Sequence, residues 1–353
     1  MQKYNCKNCG AELYWDSNAN CLKCEYCDAE YQASEFDIEE GEGQAKEAQD
    51  EHVKATDDSE SEDLVVYQCS HCGAEIITAR STVATTCAYC GRAIAMTSKM
   101  VNEFKPDVVI PFSCDEEQAK KVYKKYIHSS FLTPKDFKAE ETIKKIRGVY
   151  VPYWLHSFTN RTKALVYGEN VTSHRRGDDK VVEHHMYHIK IDAQGRFENM
   201  PTDALKNLDN TLMDALEPFD YQKLEAFNPA YMAGFYAEEY NEDEEATINR
   251  VTQRANQTMA AAVQKEAGVY GVKYIKDSST SITDRDSRYA MLPVWLLNVE
   301  YKAKDYLFAI NGQTGKIVGQ LPMSIKKLVL TAATSFSIVF LLVMLYQLAG
   351  GTL

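Results

Sequence analysis

The sequence predicts an α+β protein assembled in pieces: two small cysteine-rich β modules, an acidic linker between them, a larger α+β domain and one C-terminal apolar helix. Three observations predict it. Eight of the ten cysteines form four C-x-x-C pairs that repeat at an offset of 63 residues. From residue 100 to 322, segments with strand and helix periodicity alternate. Residues 328–348 carry no charge.

The modules span residues 1–34 and 64–99. At the 63-residue offset Cys6 falls on Cys69, Cys9 on Cys72, Cys24 on Cys87 and Cys27 on Cys90, and Gly10 and Tyr26 fall on Gly73 and Tyr89. Each module reads C-x-x-C, fourteen residues beginning with Gly, then C-x-x-C. The stretch "CLKCEYC", Cys21 to Cys27, offers two overlapping pairs. The repeat selects Cys24 and Cys27, because Cys21 falls on Ala84. Cys21 remains as a competing thiol.

The spacing carries its own chemistry. A tight C-x-x-C turn aims both thiolates at one point, and two such turns complete a tetrahedron of sulfurs around Zn2+. The glycine after the second cysteine suits the positive φ that ends the turn. A module this small cannot close a core unaided, so metal binding supplies folding free energy. The expected ligands are Cys6, Cys9, Cys24 and Cys27 for one structural zinc and Cys69, Cys72, Cys87 and Cys90 for a second. Four cysteines leave no open position for a substrate. The start, "MQKYNCKNCG", lacks the apolar stretch of an export signal, so reduced, metal-binding cysteines are expected rather than disulfides.

The formal charge of −12 sits almost wholly in residues 35–63, which hold thirteen Asp or Glu against Lys46 and Lys54. That segment has almost no large apolar residue after Ile38, so it reads as a solvated, self-repelling linker that lets the modules reach outward. The first module carries a net −2 and the second +2 before the thiolates are counted. Neither has the cation cluster that phosphate binding needs, which argues against nucleic acid and favours protein contact.

In the domain at 100–322, "DVVIPFS" reads as a strand and "CDEEQAKKVYKKYIHSSF" as an amphipathic helix with Ala119, Val122, Tyr126 and Ile127 inward. "GVYVPYWLHSFTN", "TKALVYGENVT" and "KVVEHHMYHIKI" read as strands. "EDEEATINRVTQRANQTMAAAVQKEAG" reads as a long helix with acids at its start and Gly at its end. "GVYGVKYIKD" and "AMLPVWLLNVEY" follow, then "KDYLFAING" and "GKIVGQL" around the hairpin signal "NGQTGK". A second repeat matches Pro152, Trp154 and Leu155 to Pro293, Trp295 and Leu296 at an offset of 141, which predicts two related halves. Both tryptophans are expected in the core.

Other chemistry-bearing residues read as structural. His184 and His188 share one face of a strand and His185 the other, a solvated sheet face with His174 as a neighbour across a hairpin. Cys114 reads as a small residue at a helix start. No phosphate-binding loop, nucleophile elbow or zinc-protease motif occurs in the chain, and no enzyme is expected.

Residues 328–348 give 21 uncharged residues, about 30 Å of helix at ~1.5 Å per residue, the depth of a bilayer core. Lys326 and Lys327 stand just before it and favour the cytoplasmic side for everything preceding. A single-pass cell-membrane protein with its bulk in the cytoplasm is expected.

The motifs "CKNCG", "CEYCD", "CSHCG", "CAYCG", "VYVPYWL", "LPVWLL" and "YLFAINGQTGKIVG" together resemble the bacterial membrane-anchored proteins with TFIIB-type double zinc ribbons, the YdjG-like group. Some members are encoded beside PspA-like and SPFH-domain proteins. The last motif is also similar to the hairpin of PepSY-like domains, which bind or shield partners. The resemblance implies a tail-anchored adaptor for protein partners, of PspA-like or SPFH type, in envelope stress or membrane maintenance, with the α+β domain as a docking or oligomeric surface. A membrane-tethered nucleic-acid-binding protein is the alternative.

Overall fold

The computed structural model describes residues 4–11, 13–36, 64–68, 75–79, 82–86, 93–95, 105–206, 208–302 and 304–348. The first module is a three-stranded antiparallel sheet of β1 (Leu13–Asp16), β2 (Cys21–Cys24) and β3 (Glu30–Tyr31). In the second module β4 (Leu64–Gln68) pairs β5 (Glu75–Ala79), and β6 (Thr82–Thr86) pairs β7 (Ala93–Ala95). These hairpins bracket both of its C-x-x-C pairs, whose cysteines lie outside the described residues, as does most of the acidic linker.

The α+β domain supplies β8 (Val108–Val109), helix α1 (Glu116–His128), β9 (Arg147–Arg176), β10 (Asp179–Asp203), β11 (Glu225–Ala226), β12 (Tyr236–Glu238), helix α2 (Glu244–Ala267), β13 (Val272–Glu300), β14 (Asp305–Asn311) and β15 (Ile317–Gly319). Its curled sheet runs β11-β8-β13-β9-β12-β6-β7, with β10 also on β9, β14 on β13 and β15 on β14. The sheet crosses the 99/100 boundary, because Ala84 of β6 pairs Ala237 of β12. Helix α3 (Ile325–Leu348) follows.

Segments read as separate strands are continuous. β9 runs for 30 residues and β13 for 29, and at ~3.3 Å per residue such a strand approaches 100 Å of contour. Irregularities in the partners take up the bend. β10 slips register between Phe197 and Met200 and β13 between Thr283 and Asp286, with Asn199 and Asp284 at positive φ. Asn and Asp tolerate that conformation best among residues with a side chain. Beyond the bend the outer parts of β9, β10 and β13 form an arm. Its even-numbered β9 residues, Phe158, Ala164 and Val166, are buried with Val251, Ala255, Val263 and Ala267 of α2. On α1 the structure buries Ala119, Tyr123 and Ile127 and leaves the expected Val122 and Tyr126 half-buried. The one-residue rotation lets Tyr123 donate its hydroxyl to the Phe137 carbonyl at 3.2 Å.

The two P-x-W-L stretches lie side by side. β9 and β13 are antiparallel, with Tyr150 opposite Pro293, Val151 opposite Leu292 and Pro152 opposite Met291. The 141-residue offset that relates the stretches carries Val151 onto its own partner Leu292. Each proline stands where the outer neighbour changes. On β9, β12 pairs Val149 and Tyr150, and β10 pairing reaches Tyr153. On β13, β8 pairs Ala290 and Met291, and β14 pairing begins at Val294.

Each tryptophan then reaches across. Trp295 Nε1 donates to the Cys114 carbonyl at 2.9 Å, and Trp154 Nε1 to the Glu242 carbonyl at 3.0 Å. Both acceptors immediately precede a helix N-cap, Asp115 of α1 and Asp243 of α2, whose carboxylates accept from Gln118 N and Ala246 N. The backbone closes the same way twice. The Gly312 carbonyl accepts from Ser113 N and Cys114 N, and the Ala204 carbonyl from Asn241 N and Glu242 N. Pro152 and Pro293 carbonyls accept from Ala204 N and Gly312 N.

One residue beyond Leu155, His156 is fully buried between hydroxyls: Ser287 at 2.9 Å from Nδ1, and Thr202 and Thr247 each at 3.1 Å from Nε2. Burial pushes its pKa down to about 4, so it stays neutral in the fold.

Two outcomes are expected. Trp295→Phe keeps the ring and removes the N–H, at a cost of about 1 kcal/mol. Hydrogen exchange should quicken in the first turn of α1, while Trp154→Phe should quicken it in α2 instead. The unfolded state binds the extra proton on His156 below its ordinary pKa. Stability should therefore fall as pH drops from about 6.5 to about 4, by up to ~3 kcal/mol. Burial shifts Asp203 and Glu217 upward, which acts with the opposite sign. The difference in urea unfolding between wild type and His156→Gln across that window isolates the histidine.

Candidate metal centre

The first module brings together the four cysteines that the repeat selects. Two backbone knuckles position them. Gly10 N donates to Cys6 O at 2.8 Å and Cys6 N to Ala11 O at 2.6 Å; Asp28 N donates to Cys24 O and Cys24 N to Ala29 O, both at 3.0 Å. The residue after each second cysteine is left-handed, Gly10 at φ 75° and Asp28 at φ 55°. The glycine of the first knuckle is as expected; the second knuckle uses Asp, which bears that conformation at modest cost.

Cys6 Sγ lies 3.4 Å from Cys27 Sγ, and Cys9 Sγ 3.5 Å from Cys24 Sγ. All four sulfurs fall within 4.8 Å of one another and none forms a disulfide. Four thiolates around zinc sit about 3.8 Å apart, with Zn–S of about 2.3 Å, so the donor set fits a tetrahedral metal ion. Cys6 and Cys24 are buried and Cys9 and Cys27 exposed. The Tyr31 hydroxyl lies 3.3 Å from Cys6 Sγ, and its hydrogen bond holds that thiol down to about 6. Tyr31 is a site residue the spacing did not reveal.

Cys21 is outside the cluster. It lies on β2 three residues before Cys24, and residues an odd number apart on a strand project to opposite faces. One ion cannot bind both in that geometry. Cys21 is buried opposite Asp16, and burial pushes its thiol upward. The second set, Cys69, Cys72, Cys87 and Cys90, lies outside the described residues.

The first module does not reach outward. It is docked on the α+β domain and shares its core, which corrects the expectation drawn from the linker. Trp15 Nε1 donates to the Phe112 carbonyl at 3.3 Å, and its ring meets Tyr231 edge-on at 4.8 Å. Asn18 Nδ2 donates to the Asp115 carboxylate at 2.7 Å, and Asn228 Nδ2 to Ala33 O at 3.0 Å. The alternation of Leu13 and Trp15 in "LYWD" was the signal: both are buried on a hairpin too small to bury them itself.

The other candidates are dispersed. His184 pairs with Glu169, His185 lies 3.7 Å from Glu183, His188 packs edge-on to Tyr167 at 4.3 Å, and His174 stands opposite Val181. Burial pushes the Cys114 thiol up to about 11, the reverse of an activated nucleophile. Metal analysis should therefore find one equivalent lost in Cys24→Ser and none in Cys21→Ser.

At the other end, Ile325–Leu345 is long and apolar enough to cross a membrane, and none of it is buried against the rest of the chain. No protein-family profile matches the chain, and no solved structure matches it. The chain is 30% identical over 326 residues to the uncharacterized protein YdjG of Bacillus subtilis (strain 168), covering 91% of this chain and 90% of that protein. The chain therefore belongs to the family of YdjG.

Proposed function

We propose that the protein is a single-pass membrane scaffold whose two zinc ribbons and α+β domain bind protein partners on the cytoplasmic side. The observation that carries this reading is the closed four-cysteine cluster built onto the body of a chain with an apolar terminal helix. Four protein ligands complete the coordination sphere, so the metal serves shape rather than chemistry. Zinc is the metal proposed for that site, and a second zinc for Cys69, Cys72, Cys87 and Cys90. Lys326 and Lys327 in the first turn of α3, just before its uncharged run, favour the cytoplasmic orientation.

The same reading takes the α+β domain as two related halves, each a short strand, a helix, a long strand and a returning strand. The parallel placement of Trp154 with Trp295, Pro152 with Pro293 and Asp243 with Asp115 supports it. Partners of PspA-like or SPFH type, and a role in envelope stress, rest on the resemblance of layout.

Tyr26 stands on the second knuckle, 85% exposed, on the solvent side of a rigid metal-closed turn. A photoreactive side chain at position 26, activated in intact membranes, should capture a defined polypeptide, and Cys24→Ser should lose that adduct. Capture of nucleic acid in place of protein would overturn the reading.

A further inference from the structure

The loop that follows α1 is bonded to the first turn of the terminal helix. Lys327 Nζ donates to the carbonyls of Phe131 at 3.1 Å and Thr133 at 2.6 Å, and Ser324 N donates to Leu132 O at 2.9 Å. The Lys327 ammonium also sits 5.5 Å from the Phe131 ring centroid. Helix and loop are thus tied at several points within one helical turn.

The uncharged run of the helix, Leu328–Leu348, starts directly after Lys327 and is 21 residues long, about 31 Å at ~1.5 Å per residue. A bilayer core of about 30 Å uses all of it. The helix has no spare turn to hold the domain away from the lipid, so the loop bonded to Lys327 lies at the depth of the headgroups. Its surface suits that place. Phe131 is 69% exposed, with Met323 at 65% and Ile325 at 66% beside the same turn. Exposed Lys125, His128, Lys135 and Lys326 surround them in the chain. Residues 125–138, which carry the loop, hold three Lys against one acid, and Lys326 and Lys327 adjoin them. Exposed aromatic and apolar side chains framed by cations are the composition of an interfacial lipid contact, with anionic headgroups preferred.

We infer that residues 129–135 and the first turn of α3 form a seat on anionic phospholipid, through which the α+β domain rests on the membrane at one fixed orientation. The inference rests on the membrane reading of the terminal helix, and the test separates the two.

The full chain is reconstituted in vesicles of phosphatidylethanolamine and phosphatidylglycerol, with benzoylphenylalanine replacing Phe131, Phe336 or Tyr26 in separate preparations. Position 336 reports the span itself. Lipid adducts are expected at 336 and 131, with position 131 at least fivefold above position 26. Yield at 131 should fall about threefold in phosphatidylcholine alone, with 336 unchanged. Lipid capture at 336 with none at 131, or capture of a second copy of the chain at 131, would overturn the seat and leave the span standing. No capture at 336 would overturn both, and equal yields at 131 in the two lipids would overturn the anionic preference.

Discussion

Two indole N–H groups hold the α+β domain in register. The carbonyl that precedes a helix N-cap lies outside the helix ladder, and when buried it needs a donor. Tryptophan can only donate, and its ring fills the space around the bond. Trp295 leaves β13 to hold the start of α1, and Trp154 leaves β9 to hold the start of α2. The helices are therefore set by strands that belong to the opposite part of the chain. The prolines two positions earlier complete the arrangement. A proline inside a central strand would cost a ladder hydrogen bond. Pro152 and Pro293 stand between the end of one neighbouring strand and the start of the next, where no partner faces the missing N–H.

The metal cluster belongs to the same body. Trp15 and Tyr31 come from the small sheet, and their neighbours in the buried cluster include Phe112, Tyr150 and Trp295. Metal that binds only the folded ribbon stabilises whatever packs against the ribbon. Occupancy of the cysteine cluster and the stability of the α+β domain are thus linked quantities, although the cluster and the sheet sit in separate stretches of sequence.

Local features were legible. The C-x-x-C spacing marks Cys6, Cys9, Cys24 and Cys27, because knuckle geometry is written within five residues. Apolar periodicity announces α1, the acids at its start and the Gly at its end announce α2, and the apolar run announces α3. Features that depend on distant residues were not. Nothing near Asn160 reveals that β9 runs on through it, since the bend is absorbed by bulges in β10 and β13. The P-x-W-L repeat is visible as text, but its antiparallel self-pairing is a tertiary fact. The acidic linker suggested a mobile first ribbon; the contacts of Trp15 and Asn18 that dock it lie nearly a hundred residues away.

β8 lies beside β13, not beside the β9 that follows it, and β12 lies beside β9. The parts of the domain are therefore interlaced like clasped fingers. During synthesis, β8, α1 and β9 emerge long before the strand that completes them. Until β13 inserts between β8 and β9 as the keystone, β9 lacks that neighbour and Phe112 lacks the Trp295 ring. The apolar helix that would carry the chain into a membrane comes only a short way behind that keystone. Closure of the domain and emergence of the apolar helix are thus close together in the order of synthesis.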